Sequence, residues 1–177
     1  MNYKYETKLI VIAIILTVIS APWSESKAQK TALEFKEIGI KQYKEKQYTK
    51  AIEAFTKTIE LDSSKSKTDV YIYRGIAHDA MNNFGLAIED FNKAQSIDSN
   101  DVFLYVERAK TYYNMRNHEA ACNDFLKVTA LNPNSKDAEE AWRFLGKIKQ
   151  GEKDYKNAVN YYTRVLRFSP KEYEIIY

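Results

Sequence analysis

Small residues stand in pairs twelve positions apart along this chain: Gly39 and Ala51, Gly75 and Ala87, Ala109 and Ala121, Gly146 and Ala158. Large residues recur in register around each pair. An aromatic follows each alanine by four residues (Phe55, Phe91, Phe125, Tyr162), and another precedes each first small residue by four (Phe35, Tyr71, Tyr105, Trp142). A further ring precedes each alanine by three (Tyr48, Phe84, His118, Tyr155), and an apolar residue follows it by ten (Leu61, Ile97, Leu131, Phe168). The whole pattern returns at offsets of 36, 34 and 37 residues. A period in that range marks a stack of supersecondary units, none of which buries its apolar face alone. The longer intervals take up their extra residues in the polar connectors SSKSKTD and NPNSKDAE, where an insertion lengthens a loop and leaves the packing untouched.

Each unit reads as a pair of antiparallel helices. The two small residues sit where the helices come closest, because a large side chain there forces the axes apart at about 1–3 kcal/mol. The aromatics fill the wider spaces on either side. Pro133 and Pro170 follow the last apolar position by two residues, where a helix must stop, and Ser63 and Ser99 take that place in the first two units. Only 5 glycines and 3 prolines occur in 177 residues, too few for the turns of an all-β fold. The spacing predicts helices near 31–45, 48–61, 69–81, 84–97, 101–114, 118–131, 136–150 and 155–168.

The spacing resembles the tetratricopeptide repeat family, whose unit runs aromatic, Leu-Gly, Tyr, then Ala, Phe, Ala and Pro. EAWRFLGKIKQGEKDYKNAVNYYTRVLRFSP (residues 140–170) and the run from Tyr105 to Pro133 carry the closest match. Four units cover about residues 32–65, 68–101, 102–135 and 139–172, within a domain of residues 29–177 that ends in a short tail, 173–177. Arg74 and Arg108 depart from the pattern where the family has leucine. Thr58, Val128 and Val165 replace the late alanine, and Gln42, His78 and Lys149 replace the first helix's tyrosine. The resemblance implies an all-α fold: a right-handed helical-repeat solenoid of four helix-turn-helix units, with the first helix of each pair lining a concave face.

Carried over by register, that lining gives Ile40, Tyr43, Ile72, Ile76, Phe103, Val106 and Tyr113 as an apolar floor. Lys36 lies in the first unit, and Lys110, Arg143 and Lys147 make the far end basic. Leu33 and Lys44 of the first unit, Asp69, Asp79 and Ala80 of the second, Asn114 of the third, and Glu140 and Gln150 of the fourth share the same register. Contiguous exposed apolar surface marks interaction sites, and apolar anchors beside basic groups suit a peptide or amphipathic helix with some acidic character. Some family members grip a C-terminal carboxylate with lysine, asparagine and arginine. The matching places here hold Lys36 and Ile40, then Tyr73, then Phe103 and Glu107, so only the first lysine fits.

The N-terminal 28 residues read as an export signal. Lys4 and Lys8 precede the apolar run Leu9 to Ala21, which is shorter than the ~20 residues that span a bilayer. Ser26-Lys27-Ala28 places small residues where signal peptidase inspects them, which predicts cleavage before Gln29. An uncleaved segment would instead tether the domain to the membrane. With cleavage the chain is expected to be periplasmic or secreted.

Other classes of function find little support. The formal charge is +3 with no clustered basic stripe, which argues against nucleic acid. Cys122, the single cysteine, supplies no disulfide or metal cluster. His78 and His118 fall at packing positions, no nucleophile or phosphate-loop motif occurs, and the carboxylates are expected on solvated faces. Neither an enzyme nor a cofactor is expected; the partner is a protein or peptide. Two alternatives stay open. The 14 tyrosines suit stacking on cell-wall glycan. The short tail leaves the last helix, with Val165 and Phe168, without the usual polar cap, which favours self-assembly.

Overall fold

The computed structural model describes residue 27 and residues 29–61 and 67–168. The export segment other than Lys27, most of the first connector, and Pro170 with the tail lie outside the described residues. Eight helices follow one another: α1 (29–44), α2 (Tyr48–Leu61), α3 (Thr68–Ala80), α4 (Phe84–Ile97), α5 (Val102–Asn114), α6 (His118–Leu131), α7 (Lys136–Gly151) and α8 (Tyr155–Leu166). The described residues contain no strand. Helix ends fall within two residues of the predicted spans. From α2 onward each helix packs on the next, and the first helices of consecutive units also touch, α3 on α5 and α5 on α7. The chain is thus a right-handed solenoid of four helix pairs, with one face formed by first helices.

All four pairs turn in the same way. Lys46, Asn82, Arg116 and Lys153 have φ of 60°, 60°, 59° and 61°, the left-handed region. At each turn two backbone N–H groups reach back to the first helix, as Arg116 N to Tyr113 O (3.0 Å) and Asn117 N to Tyr112 O (2.9 Å) do. This double closure satisfies carbonyls that the helix end leaves bare. A Cβ makes the left-handed conformation cost about 1–2 kcal/mol, a strain glycine escapes. Arg116→Gly is therefore expected to raise unfolding stability by about 1 kcal/mol, and Asn82→Gly by less, since asparagine tolerates this region. Urea midpoints at constant slope check both, and an Arg116→Gly midpoint at or below wild type refutes the strain.

The glycines meet the rings directly. A Cβ at Gly39 would lie 2.6 Å from the Phe55 ring, one at Gly75 2.9 Å from Phe91, and one at Gly146 2.5 Å from Tyr162. In the first, second and fourth units the aromatic four residues after the alanine therefore rests on the glycine itself, not in a wider space beside the contact.

Arginine at two of the leucine places has a structural partner. Arg74 forms a double hydrogen bond with Asp90 (2.8 and 2.7 Å) and a third with Thr56. Arg108 does the same with Asp124 (2.8 and 3.0 Å), then reaches Asn92 and Gln95 of the preceding unit at 2.7 Å each. Each guanidinium ties the second helix of its own unit to the second helix of the unit before. Asp90 and Asp124 are only 4% and 7% exposed, so these two carboxylates depart from the expected solvated faces. The two places, 16 residues apart, change together: Ile38 with Ala54, Arg74 with Asp90, Arg108 with Asp124, Leu145 with Tyr161.

Candidate functional site

Two of the three buried second-helix phenylalanines are covered by a ring from the next unit's first helix. Phe55 stacks on Tyr73 (5.9 Å between centroids, 15° between planes), and Phe125 on Phe144 (4.8 Å, 11°). Tyr73, Glu107 and Phe144 hold one register position in successive units. Between the second and third units that position is Glu107, so among the described residues no ring stacks on Phe91. A cavity of about 400 Å³ opens there on the face of first helices. Phe91 lies at its base, and Tyr43, Ile76, Tyr113 and Phe144 supply apolar walls. Asp79, Glu107 and Lys110 are its charged members, with Ala80 and Asn114 completing the register implied by the sequence. Tyr113 meets Phe144 edge to face at 5.1 Å, which sets the angle of that wall.

Four predicted groove residues, Tyr43, Ile76, Lys110 and Tyr113, thus converge on one cavity. Five others stand apart from it. Lys36 pairs with Asp69. Ile40 is half-buried in a separate shallow hollow, and Phe103 is 43% exposed and tilted against Tyr73. Arg143 bonds Glu139 at 2.6 Å, and the Lys147 ammonium lies 5.4 Å above the Phe144 ring. The remaining two are corrected: Ile72 is fully buried and Val106 4% exposed. Both belong to the main apolar cluster, which runs on from α3 to α7 because the first helices of consecutive units pack directly together. They hold the groove's floor from beneath and offer a ligand nothing.

At the expected basic end, Lys110 is already neutralised. Lys110 is shared by Glu107 and Glu140, at 3.2 Å each. Burial pulls its pKa down, but the two carboxylates outweigh that and leave it raised. Burial pushes the Glu107 carboxyl up; Lys110 offsets this in part, while Glu140 and Asp79 add to it. The Tyr43 phenol is raised by burial and then by Tyr48, Glu107 and Asp79. Asp79 Oδ1 is buried without a hydrogen-bond partner, and Asn114 reaches the other oxygen only at 3.5 Å. Two carboxylates therefore hold one ammonium, and Asp79 stands beside Glu107 with no cation of its own among the described residues. Sequence reasoning used Glu107 only as a mismatch to the carboxylate grip and missed Phe144. The signal for both was the column Tyr73, Glu107, Phe144, which loses its ring once.

Other candidates behave as packing groups. His78 is half-buried and its pKa is lowered, chiefly by burial. His118 leans on Tyr113 at 5.6 Å. Burial pushes the Cys122 thiol up, away from the reactive thiolate. No described helix is long and apolar enough to cross a membrane. On α8, Val165 is 4% exposed and Phe168 half-buried. Val159 (65% exposed) and Leu166 (41%) are open instead, beside a hollow of about 530 Å³.

Stacked helix pairs with a concave aromatic cavity define a helical-repeat scaffold. Tetratricopeptide repeats match at residues 68–101, 104–135 and 139–172, the second to fourth units and more than half of the chain. The chain belongs to the tetratricopeptide repeat family. It is 33% identical over 95 residues to human DnaJ homolog subfamily C member 7, covering 52% of this chain and 19% of that protein. It is 29% identical over 121 residues to human serine/threonine-protein phosphatase 5, covering 68% and 24%. The chain thus spans about a fifth to a quarter of the length of these relatives. MamA shares the fold, with a TM-score of 0.73, 20% identity and 84% of each chain covered. The first such domain of Spaghetti (RPAP3), solved bound to the HSP90 peptide SRMEEVD, is similar at a TM-score of 0.63 and 27% identity, with 70% of this chain and 94% of that one covered.

Proposed function

We propose that this chain is an exported scaffold that holds a segment of another polypeptide on its concave face, in envelope protein assembly. The observation that carries the binding part is the cavity over Phe91, where four register-implied groove residues converge. Likeness to RPAP3, which binds peptides in the same fold, adds support. Export rests on the N-terminal sequence. Random peptides selected on the full chain, then measured one by one by fluorescence anisotropy, test the groove. Glu107→Tyr restores the missing ring of the column and fills the cavity. It is expected to weaken selected peptides at least about tenfold, a loss of about 1.4 kcal/mol, with the helical circular-dichroism signal kept. Unchanged affinity would sink the groove reading. Intact mass of the protein from its native host should begin at Gln29; a species beginning at Met1 refutes cleavage.

A second reading, self-assembly, draws on exposed Val159 and Leu166. A second copy docked there predicts a mass in sedimentation velocity that rises with concentration and stays monomeric in Val159→Glu with Leu166→Glu. A monomer at every concentration removes this reading.

A further inference from the structure

We infer that the segment held by the groove is basic, and that one of its lysine or arginine side chains enters the cavity over Phe91 between Tyr43 and Tyr113 to meet Asp79. This inference rests on the groove reading above and deepens it by naming the ligand's chemistry. It reverses the acidic ligand expected from the sequence.

Lys110, the one cation lining the cavity, already has Glu107 and Glu140 within 3.2 Å. Asp79 makes no ion pair among the described residues, and its Oδ1 is hidden from solvent with nothing bonded to it. A carboxylate with one oxygen buried and no cation beside it is costly, and an incoming ammonium or guanidinium supplies the missing counter-charge to the carboxylate. An acidic side chain would add a third carboxylate to Asp79 and Glu107 in the same cavity. Lys36, the first unit's groove cation, is itself paired with Asp69.

The walls fit the same guest. A cation within about 6 Å of an aromatic centroid is attracted by the ring face, and a long basic side chain lays its methylene stem along apolar surface. Tyr43 and Tyr113 offer those faces, Phe144 being already stacked on Phe125 and covered by Lys147. The chain already shows the preference, since Lys147 sits 5.4 Å over Phe144. The raised Glu107 carboxyl adds a pH signature: as pH falls through its elevated pKa the cavity loses negative charge, so affinity for a basic segment drops earlier than ordinary carboxylates would make it.

The peptides selected on the full chain provide the test. They are expected to share a lysine or arginine, and replacing it with norleucine should weaken them about tenfold to a hundredfold, the range for a hydrogen bond to a charged group. Asp79→Asn, which keeps size and fold, should cause a similar loss and remove most of the difference between lysine and norleucine. Glu107→Gln should cause a smaller loss and flatten the pH dependence. Peptides blocked by Glu107→Tyr but indifferent to Asp79→Asn and to the norleucine exchange would overturn the basic ligand and leave the groove standing. Peptides indifferent to Glu107→Tyr as well would overturn both.

Discussion

Arg108→Met is expected to lower the unfolding free energy by about 3–5 kcal/mol, the range for removing one partner of a buried ion pair. The Arg108 and Asp124 side chains are 8% and 10% exposed, so the stranded carboxylate could not recover its hydration. The double variant Arg108→Met with Asp124→Leu should regain most of that loss. Apolar side chains of similar volume avoid the desolvation cost that the ion pair bears. The protein already contains such a replacement: in the fourth unit Leu145 and Tyr161 hold the same two places, and Leu145 is fully buried. Arg74→Met should cost less than Arg108→Met, because the Arg74 side chain is 20% exposed and makes one bond fewer. Urea unfolding of the singles and the double gives the coupling energy directly. A loss below about 1 kcal/mol for Arg108→Met would mean that water reaches Asp124 and the pair is a surface contact.

Much of the fold was legible because each signal came four times. Eight helix spans follow from the recurrence of small residues and rings, and the turns fall where the units demand them. What escaped was information held between units. Arg74 and Arg108 are visible as departures one unit at a time, but their partners appear only when places 16 apart are compared across all four units. Ile72 and Val106 have the register of a groove lining. Their burial depends on how closely α3, α5 and α7 approach, which no single unit's pattern contains. The site itself is a subtraction. Register brought Tyr43, Ile76, Lys110 and Tyr113 to one place, while the cavity that makes them a site comes from Glu107 standing where its neighbours carry Tyr73 and Phe144. The sign of the charge there was misjudged for a related reason: Lys110 was counted without the carboxylates that neighbouring turns and units bring to it.

Phe125→Ala should cost about 3–5 kcal/mol, the loss of a fully buried aromatic plus the void it leaves. The adjoining residues have little freedom to close that void. Ala109 and Ala121 are fully buried across the helix pair, and Phe144 loses the ring on which it lies. Phe55→Ala should cost a comparable amount in the first unit, where Phe55 covers Tyr73 in the same way. The two variants should part company in binding. Phe125 supports Phe144, which meets Tyr113 edge to face, and both are walls of the cavity. Phe55 supports Tyr73 and through it Phe103, which stand outside the cavity. Measured well below both melting temperatures, Phe125→Ala should weaken selected peptides severalfold, whereas Phe55→Ala should leave them close to wild type. Equal losses in the two variants would mean that overall loosening of the solenoid governs binding, and the ring column would then carry stability alone.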